Sequence, residues 1–174
     1  MSECVGKVLY TEEQIRNRAK ELGAIISKEY EGKKLVVIGT LKGAYVWMAD
    51  LLKEINNDLC IDFVVASSYG SGTTTSGVVK IKKDIEVDIY KKDVIIVEDI
   101  VDTGTTLKAL KKYLGERNPN SIKICSLLDK PERRLVDIKV DYVGFEIPNL
   151  FVVGYGLDFD QRYRNLPYIS CLEG

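Results

Sequence analysis

The sequence predicts an α/β fold with a mostly parallel central sheet and an additional β region near the C-terminus. Twice, a short apolar run passes through a glycine-containing turn into a helical pattern, at residues 35–55 and 94–114. Candidate strands also alternate with helices early in the chain and cluster late in it. Uninterrupted apolar runs are typical of strands buried on both faces, and alternation of strands with helices is typical of parallel sheets.

The first helix is predicted to begin after Thr11. Thr11 and Gln14 can form a capping box, in which each side chain accepts a hydrogen bond from the other residue's backbone N–H. Gly32 is expected to follow the end of this helix. A buried strand is predicted at 35–38, and the helix after it is expected to bury one face. That face consists of Tyr45, Met48, Ala49, Leu52 and Ile55.

The rest of the chain is predicted to contain several strands and one further helix. The strands are expected at 61–66, 78–81, 85–89, 94–97, 122–128, 142–147 and 151–155. The helix should start near Leu107 and bury Leu107, Leu110 and Leu114. Residues 67–77 are polar and glycine-rich, which is equally compatible with a disordered connection and with a lid over a site.

Length and charge limit the class of protein. The 174 residues fit one domain. The formal net charge of -1 gives no electrostatic case for a nucleic-acid partner. No apolar run reaches the roughly 18 residues of a membrane span, and the first residues do not resemble a secretory signal. We therefore expect no membrane association.

The cysteine and histidine content limits the chemistry. The four cysteines are far apart and the chain has no histidine, which excludes zinc ligation by imidazole and every histidine-dependent nucleophile. Proton transfer would then fall to carboxylates, lysines, tyrosines or water. Widely spaced cysteines indicate reduced thiols in a cytoplasmic protein.

Three acids follow the apolar run at 94–97, and they are Glu98, Asp99 and Asp102. A turn of small residues then leads into the helix, and it consists of Thr103, Gly104, Thr105 and Thr106. Free amides at a helix start suit a phosphate, and paired carboxylates suit sugar hydroxyls or Mg²⁺. The alternative is that Asp102 caps the helix while the other two acids are solvated. The clustering of three acids beside this turn favours a phosphate-and-sugar site.

The stretch V-I-I-V-E-D-I-V-D-T-G-T-T-L at 94–107 resembles the phosphoribosyl-pyrophosphate motif of the type I phosphoribosyltransferases. Four other segments resemble the hypoxanthine-guanine branch of that family. They are L-K-G at 41–43, S-S-Y-G at 67–70, L-L-D-K-P-E-R-R at 127–134, and V-G-F-E-I-P with F-V-V-G-Y-G-L-D at 143–158. The resemblance implies a single domain over 1–174, with a core at about 10–140. A small hood would come from the N-terminus and about 141–174.

The resemblance also implies roles for individual residues. Glu98 and Asp99 would hold the ribose hydroxyls and Mg²⁺, while residues 102–106 would bind the 5-phosphate. The pyrophosphate would lie on Arg164 and on the Leu41-Lys42-Gly43 turn, with a cis peptide before Lys42. Arg134 is a weaker candidate near the same pyrophosphate.

For the base, the resemblance implies contacts with the purine and a lid. Lys130 would donate to the purine 6-oxygen, and Asp158 would be a second magnesium ligand near the purine. Phe151 would stack on the ring, with Val152 and Ile100 beside it. Ser68 and Tyr69 would begin the lid. From the residues alone, Phe151 is predicted to lie in the core and Lys130 on the surface.

The implied reaction transfers the 5-phosphoribosyl group of phosphoribosyl pyrophosphate to N9 of hypoxanthine or guanine, which gives IMP or GMP and pyrophosphate. Asp102 would take the proton from purine N7 as general base. A homodimer or homotetramer is expected. A regulator on the same fold that binds RNA or DNA is the alternative, and the presence of Lys130, Phe151 and Asp158 argues against it.

Overall fold

The computed structural model describes residues 4–68 and 79–173. In chain order the helices and strands are β1 (Cys4–Tyr10), α1 (Glu12–Glu29), β2 (Leu35–Thr40), α2 (Tyr45–Lys53), β3 (Leu59–Ser68), β4 (Val79–Lys83), β5 (Asp93–Val101), α3 (Thr105–Gly115), β6 (Ser121–Asp129), β7 (Tyr142–Glu146), β8 (Val152–Val153) and β9 (Ile169–Glu173). A short 3-10 turn, Pro131–Arg133, follows β6.

Six of these strands form the central sheet, in the order β4-β3-β2-β5-β6-β7. Five of them are parallel, and β4 pairs antiparallel with β3 at one edge. The chain leaves β2 in one direction towards β3 and later returns beside β2 as β5, from which it continues in the other direction. The gap between β2 and β5 is therefore the topological switch point, where open α/β sheets bind their ligands.

The sheet separates two apolar cores. In β5, Ile95 and Val97 pack with α1 and α2, whereas Val94 and Ile96 pack with α3. This alternation follows from the two-residue period of a strand. Because both faces are covered, β5 is entirely apolar from Val94 to Val97. The predicted α/β class and the buried strand at 94–97 are confirmed.

A second sheet is antiparallel, has the order β1-β9-β8, and lies in the N-terminal and C-terminal segments for which a hood was predicted. The strand β7 was assigned to the hood by the predicted boundary near 140, but it pairs with β6 in the central sheet. The hood portion of the C-terminal segment therefore begins after Glu146. The strands β1 and β9 were not predicted.

The helices confirm most of the pattern analysis. Thr11 and Gln14 form the capping box of α1, and α3 buries Leu107, Leu110 and Leu114. The predicted face of α2 is confirmed at Met48 and Ile55, which are buried, but it was wrong at Tyr45 and Ala49, which are exposed. Trp47 was omitted from the predicted face and is fully buried against the sheet.

The predicted strand at 85–89 was also wrong. Ile85 and Ile89 are buried, but the amides between them do not join a sheet. The Asp62 carboxylate instead accepts hydrogen bonds from the backbone N–H groups of Glu86 (2.5 Å) and Val87 (2.9 Å). A side chain therefore satisfies the donors that a neighbouring strand would otherwise satisfy.

The strand predicted at 151–155 is shorter in the structure, because β8 ends at Val153. Gly154, Tyr155 and Gly156 all have positive φ angles, of 97°, 52° and 100°. Extended pairing cannot continue through such residues. Among the described helices, none has the length together with the apolar character that crossing a bilayer requires.

The close packing of α1 on the end of α2 gives a test of the fold. A Cβ at Gly23 would lie 2.5 Å from the Glu54 Cβ and 2.6 Å from the Glu54 carbonyl oxygen. We expect Gly23→Ala to lower the free energy of unfolding by about 1–3 kcal/mol, measured by urea denaturation. The matched control is Gly115→Ala, since a Cβ at this exposed end of α3 would meet nothing within 4 Å. An equally stable Gly23→Ala protein would contradict this packing.

Candidate active site

A cavity of about 240 Å³ lies at the carboxyl ends of β2 and β5, at the switch point of the sheet. Most of its wall comes from the residues that follow these two strands. The lining residues are Thr40, Leu41, Gly43, Ala66, Glu98, Asp99, Ile100, Val101, Asp102, Thr103, Gly104, Thr106, Leu107 and Leu110. The structure thus brings the predicted sugar, phosphate and pyrophosphate segments to one place.

Glu98 and Asp99 are half-buried neighbours at the end of β5. Burial raises the pKa of Glu98, and the adjacent charge of Asp99 raises it further. The Thr40 hydroxyl donates to Glu98 Oε2 at 2.6 Å, which favours the ionised form but does not outweigh burial. One hydrogen bond from Thr40 therefore does not compensate for the cost of ionising Glu98 beside Asp99.

Asp99 lies against the turn that follows β2. Burial raises the pKa of Asp99, with backbone amides and Arg164 acting in the opposite direction. A Cβ at Gly43 would lie only 1.6 Å from Asp99 Oδ2, so this position accepts no side chain. The peptide between Leu41 and Lys42 is cis, as predicted. The turn and the acid therefore face each other across the mouth of the cavity.

The phosphate candidate is the turn that precedes α3. Gly104 occupies the N-cap with a φ of 79° and provides no side-chain cap. The alternative in which Asp102 caps the helix was therefore wrong. A Cβ at Gly104 would lie 2.7 Å from Ile138 Cγ2, so space as well as φ requires glycine. The Thr105 backbone N–H donates to Thr103 Oγ1 at 3.4 Å, and Gly104 and Thr106 line the cavity at this helix start, where the positive end of the helix dipole favours an anion.

Asp102 is held by the segment after β6. Arg133 Nε donates to Asp102 Oδ1 at 2.9 Å, and both side chains are partly exposed. Arg134 Nη1 donates to the Asp102 backbone oxygen at 2.7 Å, and Arg134 also pairs with Asp129. Sequence reasoning missed Arg133, although it lies in the charged run D-K-P-E-R-R. Arg134 contacts the Asp102 turn and has different partners from Arg164.

The residues Asp158 and Arg164 form an ion pair with 2.7 Å between Oδ1 and Nη2. Arg164 Nη1 also donates to the Gly156 carbonyl at 2.7 Å. A Cβ at Gly156 would lie 2.1 Å from the Gly43 carbonyl oxygen, which places this C-terminal segment against the Leu41–Gly43 turn. Lys42 Nζ donates to Gln161 Oε1 at 3.0 Å. The distant segments around 42 and 158–164 therefore meet beside Asp99.

The two principal purine candidates behave opposite to the expectation from residue type. Lys130 is only 7% exposed, whereas Phe151 is 54% exposed. Both of those expectations were wrong. The Lys130 backbone N–H donates to the Val101 carbonyl at 2.9 Å, which ties it to the end of β5. Burial of a lysine costs free energy, and a large exposed aromatic side chain is unusual on a protein surface. Such departures often mark a functional site.

The other purine candidates lie in different elements. Val152 is buried in β8, and Ile100 lines the cavity. Lys42, Lys130, Phe151, Val152, Asp158 and Arg164 are not part of the cavity wall. The lid candidate Tyr69 lies outside the described residues, as does the side chain of Ser68, although the Ser68 backbone ends β3.

The carboxylates fit a hard divalent cation. Within residues 4–68 and 79–173, no cluster of three or more cysteine or acidic side chains could hold a metal ion without further ligands. Mg²⁺, however, is usually held by one or two carboxylates together with substrate phosphates and water. A cation at Glu98 and Asp99 would offset the cost of burying their charges, which is the main reason why the pKa values of both carboxyls are raised. Asp158 is already paired with Arg164.

Comparisons with known proteins agree with this geometry. The family model described as phosphoribosyl transferase domain matches residues 7–160. The chain is 50% identical over 173 residues to the hypoxanthine-guanine phosphoribosyltransferase of Streptococcus mutans, which covers 99% of this chain and 96% of the relative. It is 54% identical over 167 residues to the enzyme of the same name from Staphylococcus aureus, covering 96% of this chain and 93% of the relative.

Solved structures give the same result. A hypoxanthine phosphoribosyltransferase from Staphylococcus aureus superposes with a TM-score of 0.94 at 53% identity, covering 97% of this chain and 92% of that one. A hypoxanthine-guanine phosphoribosyltransferase from Bacillus anthracis also gives 0.94, at 47% identity, covering 99% and 100%. That structure holds a HEPES molecule in its active site.

The raised pKa of Glu98 predicts an unusual pH dependence of stability in metal-free protein. A carboxyl whose pKa is higher in the folded state stabilises the fold at low pH and loses that contribution as pH rises through the folded value. We therefore expect Glu98→Gln to raise Tm by about 2–8 °C at pH 8.5, with a smaller difference at pH 5. Thermal melting in EDTA measures both values.

The control for this experiment is Glu86→Gln, because the Glu86 side chain is 87% exposed. Its Tm should follow the wild-type Tm at both pH values. A Glu98→Gln protein that is less stable than the wild type at pH 8.5 would contradict the charge assignment.

Proposed function

The chain belongs to the phosphoribosyl transferase family, and from this premise we propose that it transfers the 5-phosphoribosyl group of phosphoribosyl pyrophosphate to N9 of hypoxanthine or guanine. It is a purine-salvage phosphoribosyltransferase, and the proposed products are IMP or GMP and pyrophosphate. The observation that carries the proposal is the single cavity shared by the paired acids, the Gly43 turn and the start of α3.

The donor is proposed to bind with its ribose over the end of β5. Glu98 and Asp99 accept hydrogen bonds from the ribose 2- and 3-hydroxyls. The 5-phosphate lies on the amides and hydroxyls of Thr103, Gly104, Thr105 and Thr106. Backbone amides at a helix start suit a dianion, since the amide dipoles are already oriented and no side-chain charge is required.

The pyrophosphate is proposed to lie between the 41–43 turn and Arg164. Leu41, Lys42 and Gly43 offer backbone groups there, and Lys42 and Arg164 offer positive charge. These two cations share Gln161 Oε1 as a partner, at 3.0 Å from Lys42 Nζ and 3.4 Å from Arg164 Nη2. A phosphate oxygen would be a stronger acceptor for both of them, because it is charged.

We propose Mg²⁺ as the cofactor, held by Glu98 and Asp99 on one side and by Asp158 on the other. When bound, the metal would stabilise the negative charge that develops on the leaving pyrophosphate. Arg164 is already paired with Asp158, so it is positioned beside the same developing charge. Asp99, with Gly43 directly opposite its carboxylate, remains fixed in place by packing.

The purine is proposed to bind between the end of β6 and the hood. Lys130 donates to the 6-oxygen, Phe151 stacks on the ring, and Val152 and Ile100 flank it. The exposure of Phe151 leaves its ring accessible to a planar ligand, and the hydrogen bond from the Lys130 backbone N–H to the Val101 carbonyl places Lys130 beside the end of β5, where Val101 lines the cavity. Asp158 completes the set near the purine edge.

Asp102 is proposed as the general base that removes the proton from purine N7. Its carboxylate is bonded to Arg133, an exposed pair of the kind that is weak and easily exchanged. Arg134 holds the Asp102 backbone, so the side chain can change partner while the turn stays in place. Ser68 and Tyr69 are proposed to begin a lid that excludes water from the cationic sugar of the transition state.

The proposed location is the cytoplasm and the proposed assembly is a homodimer or homotetramer. Cys60 is exposed and free and Cys125 is buried and free, which suits a reducing compartment. Tyr45 and Ile25 are exposed apolar residues on α2 and α1, at 44% and 50%, and could contribute to contacts between subunits. No nucleic-acid partner is proposed.

The direct test is a steady-state assay with phosphoribosyl pyrophosphate, Mg²⁺ and each of four bases. We expect IMP from hypoxanthine and GMP from guanine, with adenine rejected because it lacks the 6-oxygen that Lys130 is proposed to contact. The ratio of kcat/KM between hypoxanthine and xanthine measures how closely the 2-position is read. Absence of IMP formation would contradict the proposed function.

The role of Asp102 is tested by Asp102→Asn. A general base typically contributes 10²–10⁴-fold, so we expect kcat to fall by about 10²-fold or more while the KM for phosphoribosyl pyrophosphate changes little. The control is Asp58→Asn, since Asp58 is exposed just before β3 at the opposite end of the sheet. A kcat near that of the wild type would show that another group takes the proton.

A further inference from the structure

Phe151 is 54% exposed and has an aromatic neighbour, Phe159. The rings of Phe151 and Phe159 form a T-shaped pair, with 5.6 Å between centroids and 81° between planes. Such edge-to-face pairs have a preferred geometry, because the positive ring edge is attracted to the negative ring face. Phe159 therefore limits the directions in which the exposed Phe151 ring can turn.

Phe159 is itself fixed by a tight turn. Phe159 and Arg162 exchange backbone hydrogen bonds of 3.2 and 2.9 Å across two residues. The two residues between them are Asp160 and Gln161, which have positive φ angles of 48° and 63°. Positive φ at both central positions defines a type I′ turn, whose twist matches a short antiparallel pair. The backbone that carries Phe159 is therefore held closely.

The residues that flank this turn, Asp158 and Arg164, connect it to the candidate active site. The Asp158 carboxylate accepts from the Gln161 backbone N–H at 2.8 Å and pairs with Arg164 at 2.7 Å. Arg164 in turn donates to the Gly156 carbonyl, which lies against the pyrophosphate turn. Phe159 thus belongs to a segment, 158–164, which hydrogen bonds and an ion pair hold together and which is bonded to Gly156 beside the Leu41–Gly43 turn.

We propose that Phe159 is a positioning residue for the purine. It holds the Phe151 ring in the plane needed for stacking, so that the base finds the platform already oriented. This rests on the proposed function, in which Phe151 stacks on the purine. The value of the contact is pre-organisation, because a ring that is free to rotate must lose that freedom when the base binds.

The test compares Phe159→Leu and Phe159→Tyr with the wild type. Phe159→Leu removes the aromatic pair and is expected to raise the KM for hypoxanthine by about 2- to 12-fold, with little change in the KM for phosphoribosyl pyrophosphate. Phe159→Tyr keeps a ring and should restore the hypoxanthine KM to within about twofold of the wild type. Phe159→Met serves as a second non-aromatic variant if Phe159→Leu is unstable.

A matched control separates an effect on the orientation of Phe151 from the general effect of losing an aromatic contact. Tyr10 and Phe145 form another aromatic pair, with centroids 4.0 Å apart. Tyr10→Leu should lower Tm without a selective change in the hypoxanthine KM.

Two outcomes overturn the inference in different ways. If Phe151→Leu raises the hypoxanthine KM and Phe159→Leu does not, Phe159 has no positioning role and the proposed function stands. If the wild type forms no IMP, the proposed function fails and the role of Phe159 fails with it.

Discussion

The rest of the site depends on the burial of two adjacent carboxylates at the end of β5. Glu98 and Asp99 repel each other in a half-buried position, and burial raises both pKa values. Such a pair is unfavourable unless a cation or polar ligand compensates it. The neighbouring structure supports the pair without neutralising it, since Thr40 donates one hydrogen bond and Arg164 acts on Asp99 from a distance.

Several features that are far apart in sequence follow from the position of the Asp99 carboxylate. It excludes any side chain at Gly43, and the Gly43 carbonyl excludes any side chain at Gly156. Three segments, from the ends of β2 and β5 and from the C-terminal region, therefore pack together through glycine contacts. The same packing brings the Asp158–Arg164 ion pair close enough to Asp99 for both charges to act on the Asp99 carboxylate.

The sequence could predict the parts of the protein that depend on local pattern. The capping box of α1, the buried face of α3 and the apolar strand at 94–97 follow from helical and strand periodicity, and all are present. The strand predicted at 85–89 was wrong, and the predicted face of α2 was wrong at Tyr45 and Ala49, because long-range contacts decided both. Asp62 satisfies the amides at 86 and 87, and Trp47 determines which face of α2 is buried.

For the site, the sequence by itself determined which chemical groups are available. The acids, the small residues before α3 and the absence of histidine point to phosphate, sugar and carboxylate chemistry before any fold is known. Only the tertiary structure decided the surroundings of those groups. The burial of Lys130, the exposure of Phe151 and the Asp102–Arg133 pair each depend on contacts between segments distant in the chain. Such properties arise from packing, which local sequence does not specify.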